Sequence, residues 1–323
     1  MAVSTIADAF RRGIEAAEAF AGATAPNPPV GCVVLDARGD VLACAVHEKA
    51  GSAHAEAAAI TACRRAGDAG RIDTVVVTLE PCNHHGRTPP CVDAILATSA
   101  RTVWIGARDP NPKVAGGGTA RLSSHGLAVG FLDSLDHPEA PALARAARRL
   151  IAPFGKWSRT GRPWLTLKQA IAADGGMIPP AGRKTFTSQT SLVLAHRLRR
   201  RSDAVITGSG CVLADEPTLT VRHVRDHAGK RRILAILDRR GRTPASYVKA
   251  AEARGFDVRV HGDLQGLLAE LGDEGVLEAL VEAGPTLLAA FLDQDLWDER
   301  VIIRQGPGPG DPDTVDVLTR QAA

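Results

Sequence analysis

Short apolar runs that read as buried strands alternate with helix-period segments along the whole chain, and this alternation limits the fold class more than any other feature. "VGCVVLD" (30–36) and "DVLACAV" (40–46) flank an Arg38-Gly39 turn. "HAEAAAITACRRAG" reads as a helix closed by Gly67, and "TVVVTL" (74–79) as a buried strand stopped by Glu80-Pro81. Cys91 opens a helix in "CVDAILAT", "RTVWIGA" (101–107) is a further strand, and "DPNPKVAGGG" (109–118) is a loop on composition. Upstream, Ile6, Phe10, Ile14 and Ala17 recur at helical spacing, with Ser4 or Thr5 as a cap. "ALARAARRLIAPFGKWSRTGRP" (142–163) reads as a helix and then a connector. After it a second α/β series begins. Its strands are "PWLTLKQAIAADGG", "DAVIT", "RRILAILD" (231–238), "FDVRVH" (256–261) and "VLEALVE" (276–282), and its helices "TSLVLAHRLRRRS" and "PTLLAAFLDQ". A length of 323 residues exceeds what one core usually serves. Two α/β domains are expected, 1–147 and 160–323, with the boundary near 147 to 160.

Composition excludes several classes. Net charge is only +3, which suits small acidic ligands and demands neither nucleic acid nor a membrane. No run approaches a membrane span, and the N-terminus lacks the basic and apolar regions of a signal peptide. A cytoplasmic location is therefore expected. There the six cysteines stay reduced, so paired cysteines suggest metal rather than a disulfide.

Chemistry is concentrated in "HAEAAAI" (54–60) and "LEPCNHHGRTPPC" (79–91). Imidazole and thiolate are preferred zinc ligands, and His54, Cys82 and Cys91 supply the three that a catalytic zinc needs. Glu56 stands two residues from His54. Positions i and i+2 do not share a helix face, so these two converge only at a helix entry. A zinc off that entry would lower the pKa of a water, and Glu56 would move its proton to a leaving amine. The pattern is that of zinc nucleobase deaminases. Two blander readings compete: a buried cysteine is often a small hydrophobe, and His84 or His85 could close a structural zinc site. The latter leaves Glu56 unexplained. Cys32, Cys44, Cys63 and Cys211 are taken as packing residues, and His47 is a substrate contact or a surface histidine.

"NPPVG", "HAEAAAI", "TLEPCNHHGRTPPCVDAI" and "DPNPKVAGGG" together resemble the N-terminal domain of the bifunctional riboflavin-biosynthesis deaminase/reductase (RibD) family. Cytidine and tRNA-adenosine deaminases space their cysteines C-x-x-C, whereas here eight residues separate Cys82 from Cys91. The resemblance covers residues 1 to 145 and implies a cytidine-deaminase-like α/β/α fold. It assigns His54, Cys82 and Cys91 as Zn2+ ligands, Glu56 as general acid/base and Asn27 as a pocket residue. The implied first reaction is hydrolytic deamination of 2,5-diamino-6-(ribosylamino)-4(3H)-pyrimidinone 5'-phosphate.

In the second half, "DAVITGSGCVLADEP" (203–217) fails the Rossmann fingerprint, because Leu213 occupies the third glycine position. Its default reading is a turn with a core role. "LVEAGPTLLAAF" (280–291) reads as a strand, a glycine allowing close approach, and a helix whose first N–H groups could hold phosphate. These segments, with "RPWLTLKQAIAADGG", "HRLRRRSDAVITGSGCVLADEPTLTVR" and "ILDRRGRTP", resemble the RibD reductase domain, which has a dihydrofolate-reductase-like α/β fold and uses NADPH. The resemblance places Ala170, Phe186, Cys211, Asp215, Gly284, Pro285, Thr286, Leu287, Leu288, Ala289 and Ala290 along the cofactor. It places Lys184, Arg199, Leu219, Arg222 and Glu282 on the substrate. Hydride delivery would open the ribosyl group to ribityl. Arg197, Arg200 and Arg201 are read as a solvated helix face. Two departures from the family stand out: Lys184-Thr185-Phe186 replaces the usual Ser-x-Trp segment, and the reductase domain is C-terminally short. A deaminase with a non-catalytic second domain is the alternative. An RNA-acting deaminase is disfavoured by the cysteine spacing and the modest charge. The implied partner is a small phosphorylated pyrimidine, not nucleic acid or a membrane, with homo-oligomerisation left open.

Overall fold

Runs of Val, Ile and Leu suit strands covered on both faces, and they form the centre of a sheet in each half of the chain. The computed structural model describes residues 3–84, 89–111, 115–178, 185–308 and 311–320. It divides into two units, Met1–Arg159 and Thr160–Ala323.

The first unit runs α1 (Val3–Glu18), β1 (Gly31–Leu35), β2 (Val41–Val46), α2 (Ala55–Ala66), β3 (Thr74–Val77), α3 (Cys91–Leu96), β4 (Thr102–Ile105), α4 (Gly117–Ser124), β5 (Ala128–Phe131) and α5 (Ala140–Thr160). The sheet order is β2-β1-β3-β4-β5. β1 is antiparallel to β2 and β3, whereas β3, β4 and β5 are parallel. Alternation along β1 divides the core. Val33 and Leu35 pack with Phe10 and Ile14 of α1 and Ala144 and Ile151 of α5. Cys32 and Val34 pack with Ala59, Ile60 and Cys63 of α2 and Ile95 of α3 on the other face. The result is an α/β/α sandwich. Helix α1 begins at Val3, so Ser4 and Thr5 lie in its first turn rather than capping it. α5 continues to Thr160, so most of the expected connector is helical. β5 escapes notice in the sequence because four residues, none fully buried, show no clear alternation.

The second unit runs β6 (Trp164–Ile171), α6 (Gln189–Arg201), β7 (Ala204–Gly208), α7 (Ser209–Asp215), β8 (Arg232–Leu237), α8 (Ala245–Ala253), β9 (Phe256–His261), α9 (Leu264–Asp273), β10 (Glu278–Val281), α10 (Pro285–Asp293), β11 (Glu299–Arg304) and β12 (Thr314–Thr319). Strand order is β12-β11-β6-β10-β7-β8-β9, parallel except for β12. Ile206 and Val281 face Leu267 and Leu271 of α9 and Phe291 of α10. Val205 and Leu234 face Val212 of α7 and Tyr247 of α8. "GSGCVLAD", read as a turn, is largely the helix α7, anchored by buried Val212. The basic run at the end of α6 is also corrected in part. Arg197 is exposed as expected, but Arg201 is drawn onto buried Glu278 and Glu299. No helix among the described residues is long and apolar enough to cross a membrane.

Candidate active sites

His54 is the N-cap of α2, with extended backbone (φ −68°, ψ 159°), while Glu56 lies in the helix's first turn. This is the helix entry that the two-residue spacing requires. Cys82 follows β3 in a loop, and Cys91 is the first residue of α3. The three ligand atoms lie within 4.8 Å of one another. His54 Nδ1 is 3.2 Å from Cys91 Sγ and 3.6 Å from Cys82 Sγ. Neighbouring N and S ligands of a tetrahedral zinc are about 3.6 Å apart, so the donor set fits that ion. Among the described residues no fourth side chain joins the group. His84 is exposed at the pocket rim, and His85 lies outside the described residues.

Electrostatics suit the same ion. The Cys82 thiol is pushed down to about 4, chiefly by its hydrogen bond with Cys91 and then by His54. The Cys91 thiol is pushed up by its hydrogen bond with Cys82 and by burial. Binding of a divalent cation by the two sulfurs would require both as thiolates, so it would release protons. The Cys91 backbone N–H also donates to Cys82 Sγ at 3.3 Å. Glu56 is 3% exposed, and burial raises its carboxyl pKa. A carboxyl tuned upward in this way can both take and give a proton.

The pocket over this cluster has a volume of about 270 Å³. Asn27 lines it, as does His47, which the sequence left open. His47 is 2% exposed, so it is not a surface histidine. Its Nδ1 lies 3.1 Å from the Ala53 carbonyl oxygen and carries the proton, leaving Nε2 to accept from Asn27 Nδ2 at 3.2 Å. That bond fixes the flip of the Asn27 amide. Glu80, Asp109 and Asn111, which fall within the quoted motifs without a role read for them, also line the pocket, as do Phe154 and Trp157, which fall in none of those motifs. Glu80 ties the cysteine loop to α4. Its carboxylate accepts from the N–H groups of Gly116 (3.1 Å) and Thr119 (3.0 Å) and from Thr119 Oγ1 (2.7 Å).

In the second unit, β6, β10 and β7 end at a cleft of about 1160 Å³. Ligands in parallel α/β sheets bind at such strand ends. The cleft is lined by Ala170, Phe186, Cys211, Asp215, Gly284, Pro285, Thr286, Leu287 and Ala290, and by Arg199, Leu219, Arg222 and Glu282. Leu288 is instead in the core and Ala289 is exposed, because a continuous stretch of helix cannot turn every residue to one ligand. Lys184 lies outside the described residues. Leu219 is buried and takes a left-handed backbone (φ 53°), so it shapes the cleft largely through its main chain. Gly284 caps α10 without a side-chain cap bond, Pro285 opens the helix, and the Gly284 N–H donates to Cys211 Sγ at 3.0 Å. Uncapped first-turn N–H groups, with Arg239, Arg240 and Arg242 on the same cleft, form a donor set that fits a phosphorylated dinucleotide. Glu282 receives Lys168 Nζ at 3.1 Å and both Arg199 Nε and Nη2. Burial opposes ionisation, yet the Lys168 ammonium and Arg199 guanidinium hold the Glu282 carboxyl well below the usual carboxylate range. Lys168, on β6, lies within "RPWLTLKQAIAADGG", but no role is read for it in the sequence.

The family described as cytidine and deoxycytidylate deaminase zinc-binding region matches residues 4–107, and the RibD C-terminal domain matches residues 163–307. The riboflavin biosynthesis protein RibD of Mycobacterium tuberculosis (strain H37Rv) is 37% identical, with 90% of this chain and 82% of that protein covered. The chain belongs to the RibD family. RibD of Escherichia coli (strain K12) is 33% identical over 90% of this chain and 85% of its own length. A solved diaminohydroxyphosphoribosylaminopyrimidine deaminase/5-amino-6-(5-phosphoribosylamino)uracil reductase from Thermotoga maritima is 30% identical and superposes with a TM-score of 0.81, covering 96% of this chain and 89% of that one. As a RibD member, the chain is a riboflavin-biosynthesis enzyme with a zinc-dependent deaminase domain and an NADPH-dependent reductase domain. Nothing favours the alternative of a deaminase with a non-catalytic second domain.

Proposed function

We propose that the first unit deaminates 2,5-diamino-6-(ribosylamino)-4(3H)-pyrimidinone 5'-phosphate and that the second reduces the product's ribosyl group to ribityl. The observation that supports the first step most is Glu56, buried in the first turn of α2 beside the His54, Cys82 and Cys91 cluster. His54, Cys82 and Cys91 would hold zinc, which supplies Lewis acidity and lowers the pKa of a water toward neutrality. Glu56 takes the water's proton and delivers it to the ring amine as the carbon–nitrogen bond breaks, so that ammonia leaves and an oxygen remains on the ring. The Asn27 amide, held by His47, orients the substrate.

In the second unit NADPH would supply the hydride, with Cys211, Asp215 and the start of α10 along it. Arg222 carries a guanidinium suited to phosphate, and Arg199, held by Glu282 through Nε and Nη2, lends its charge to the same cleft. The partners are these small phosphorylated pyrimidines rather than nucleic acid, and the enzyme works in the cytoplasm, self-association being compatible with either step.

Ammonia release from the diaminopyrimidinone phosphate, followed by NADPH oxidation, is the expected activity of the purified chain. Glu56→Gln should retain one zinc and lose ammonia release by at least about a hundredfold, the scale of a lost general acid/base. Retained turnover in a zinc-loaded Glu56→Gln protein would overturn the role of Glu56.

A further inference from the structure

The deaminase pocket has a wall that the established chemistry does not use. Phe154 and Trp157 lie three residues apart on α5, on one side of the helix, and both line the pocket that holds His54 and Glu56. Their ring centroids are 6.3 Å apart at an interplanar angle of 37°. Both are half-buried, so each keeps ring surface available. In the sequence this stretch, "PFGKW", reads only as the end of a helix.

Gly155 explains how α5 comes close enough. A Cβ there would lie 3.1 Å from Pro110 Cβ and 3.3 Å from its Cγ. The missing side chain lets the helix rest directly on the Asp109–Asn111 loop, and both Asp109 and Asn111 line the same pocket. The helix and the loop therefore form one continuous border. Opposite kinds of surface meet across it. The His54, Glu56 and Cys82 side is polar, and on the proposed function Glu56 moves the proton there. Phe154 and Trp157 offer broad apolar faces, and a flat heteroaromatic ring gains most from a face contact of this kind.

We propose that Trp157, backed by Phe154, is the surface on which the pyrimidine ring stacks, making Trp157 a substrate-contacting residue of the deamination site. The proposal rests on the deaminase assignment made above, and its test separates the two. The zinc-loaded full chain carrying Glu56→Gln is titrated with the diaminopyrimidinone phosphate while tryptophan emission is followed. Trp157 is one of four tryptophans, so the part of the quench due to stacking is expected to disappear in Trp157→Phe. Trp157→Ala is expected to weaken Kd about tenfold, as the loss of one stacked ring does, and Trp157→Phe to recover most of that loss. With Glu56 intact, Trp157→Ala should raise the KM for ammonia release about tenfold and leave kcat within about twofold, the pattern of lost uniform binding. An undiminished quench in Trp157→Phe, or an unchanged KM in Trp157→Ala protein holding one zinc, overturns the proposal. Ammonia release by the unsubstituted chain judges the deaminase assignment by itself. The wall is judged by the quench, with ribose 5-phosphate as the control that must produce none.

Discussion

His196 is buried beside Arg199 and Arg222, and its Nδ1 accepts the Arg222 backbone N–H at 2.9 Å. Burial, then the Arg199 and Arg222 charges, pushes its pKa down to about 4. The native state therefore keeps it neutral where the unfolded chain, with a histidine near 6.5, has already taken a proton. The unfolded state binds more protons, so stability is full above pH 6.5 and falls as pH drops from about 6.5 to about 4, by an amount on the order of 1–3 kcal/mol. Urea unfolding followed by hydrogen exchange in β7 and β10 at pH 7 and pH 5 should show this loss, and His196→Gln should flatten it. An equal loss in both proteins would assign the pH effect elsewhere. Among the residues that converge on the first pocket, His54 with Glu56 and the two cysteines bounding "NHHGRTPP" were legible from local spacing. Lys168 and Trp157 were not, and His47 stayed open between a substrate contact and a surface residue. Each reaches its site from a separate element, and no local pattern records which partner a side chain meets after folding.

At the scale of elements, the deaminase site depends on one close approach. A Cβ on Gly118, in the first turn of α4, would lie 2.0 Å from the Pro81 carbonyl oxygen. Glu80 on one side of that contact is bonded to the same helix start, and Cys82 follows on the other. Gly118→Ala must push the loop away and carry Cys82 out of register. The expected result is at least about a tenfold loss of zinc affinity in chelator competition, consistent with disturbing groups that orient a ligand. Unchanged affinity would mean that the loop adapts without moving its sulfur. Strands with buried centres, such as β1, β3 and β8, were readable to within a few residues because burial selects aliphatic side chains. β12 was not anticipated. All six of its residues are exposed, and "TVDVLT" follows a Gly/Pro-rich stretch that reads as loop. α7 was missed because two of its first residues are Ser209 and Gly210, which favour turns in isolation.

At the scale of the molecule, the two chemistries rest on separate parts of the chain. The residues proposed to hold the cation lie between 54 and 91, and the cleft of the second unit is lined by residues from 168 to 303. Removing zinc with a chelator should abolish ammonia release but leave NADPH oxidation, assayed with already deaminated substrate, within about twofold, since a metal contributes stability only to the unit that binds it. A parallel loss of both activities would show that the reductase depends on the ion. The α/β alternation revealed both units, but it did not reveal that α5 runs unbroken to Thr160, because Pro153 and Gly155 resemble helix terminators. One consequence of the deaminase centre concerns time. His54, Cys82 and Cys91 come from a helix cap, a loop and the opening residue of another helix, so an ion held by all three would not be freed by a single side-chain rotation. Its residence should follow backbone opening at those three places, and isotopic zinc should exchange no faster than the amides that hold them shut.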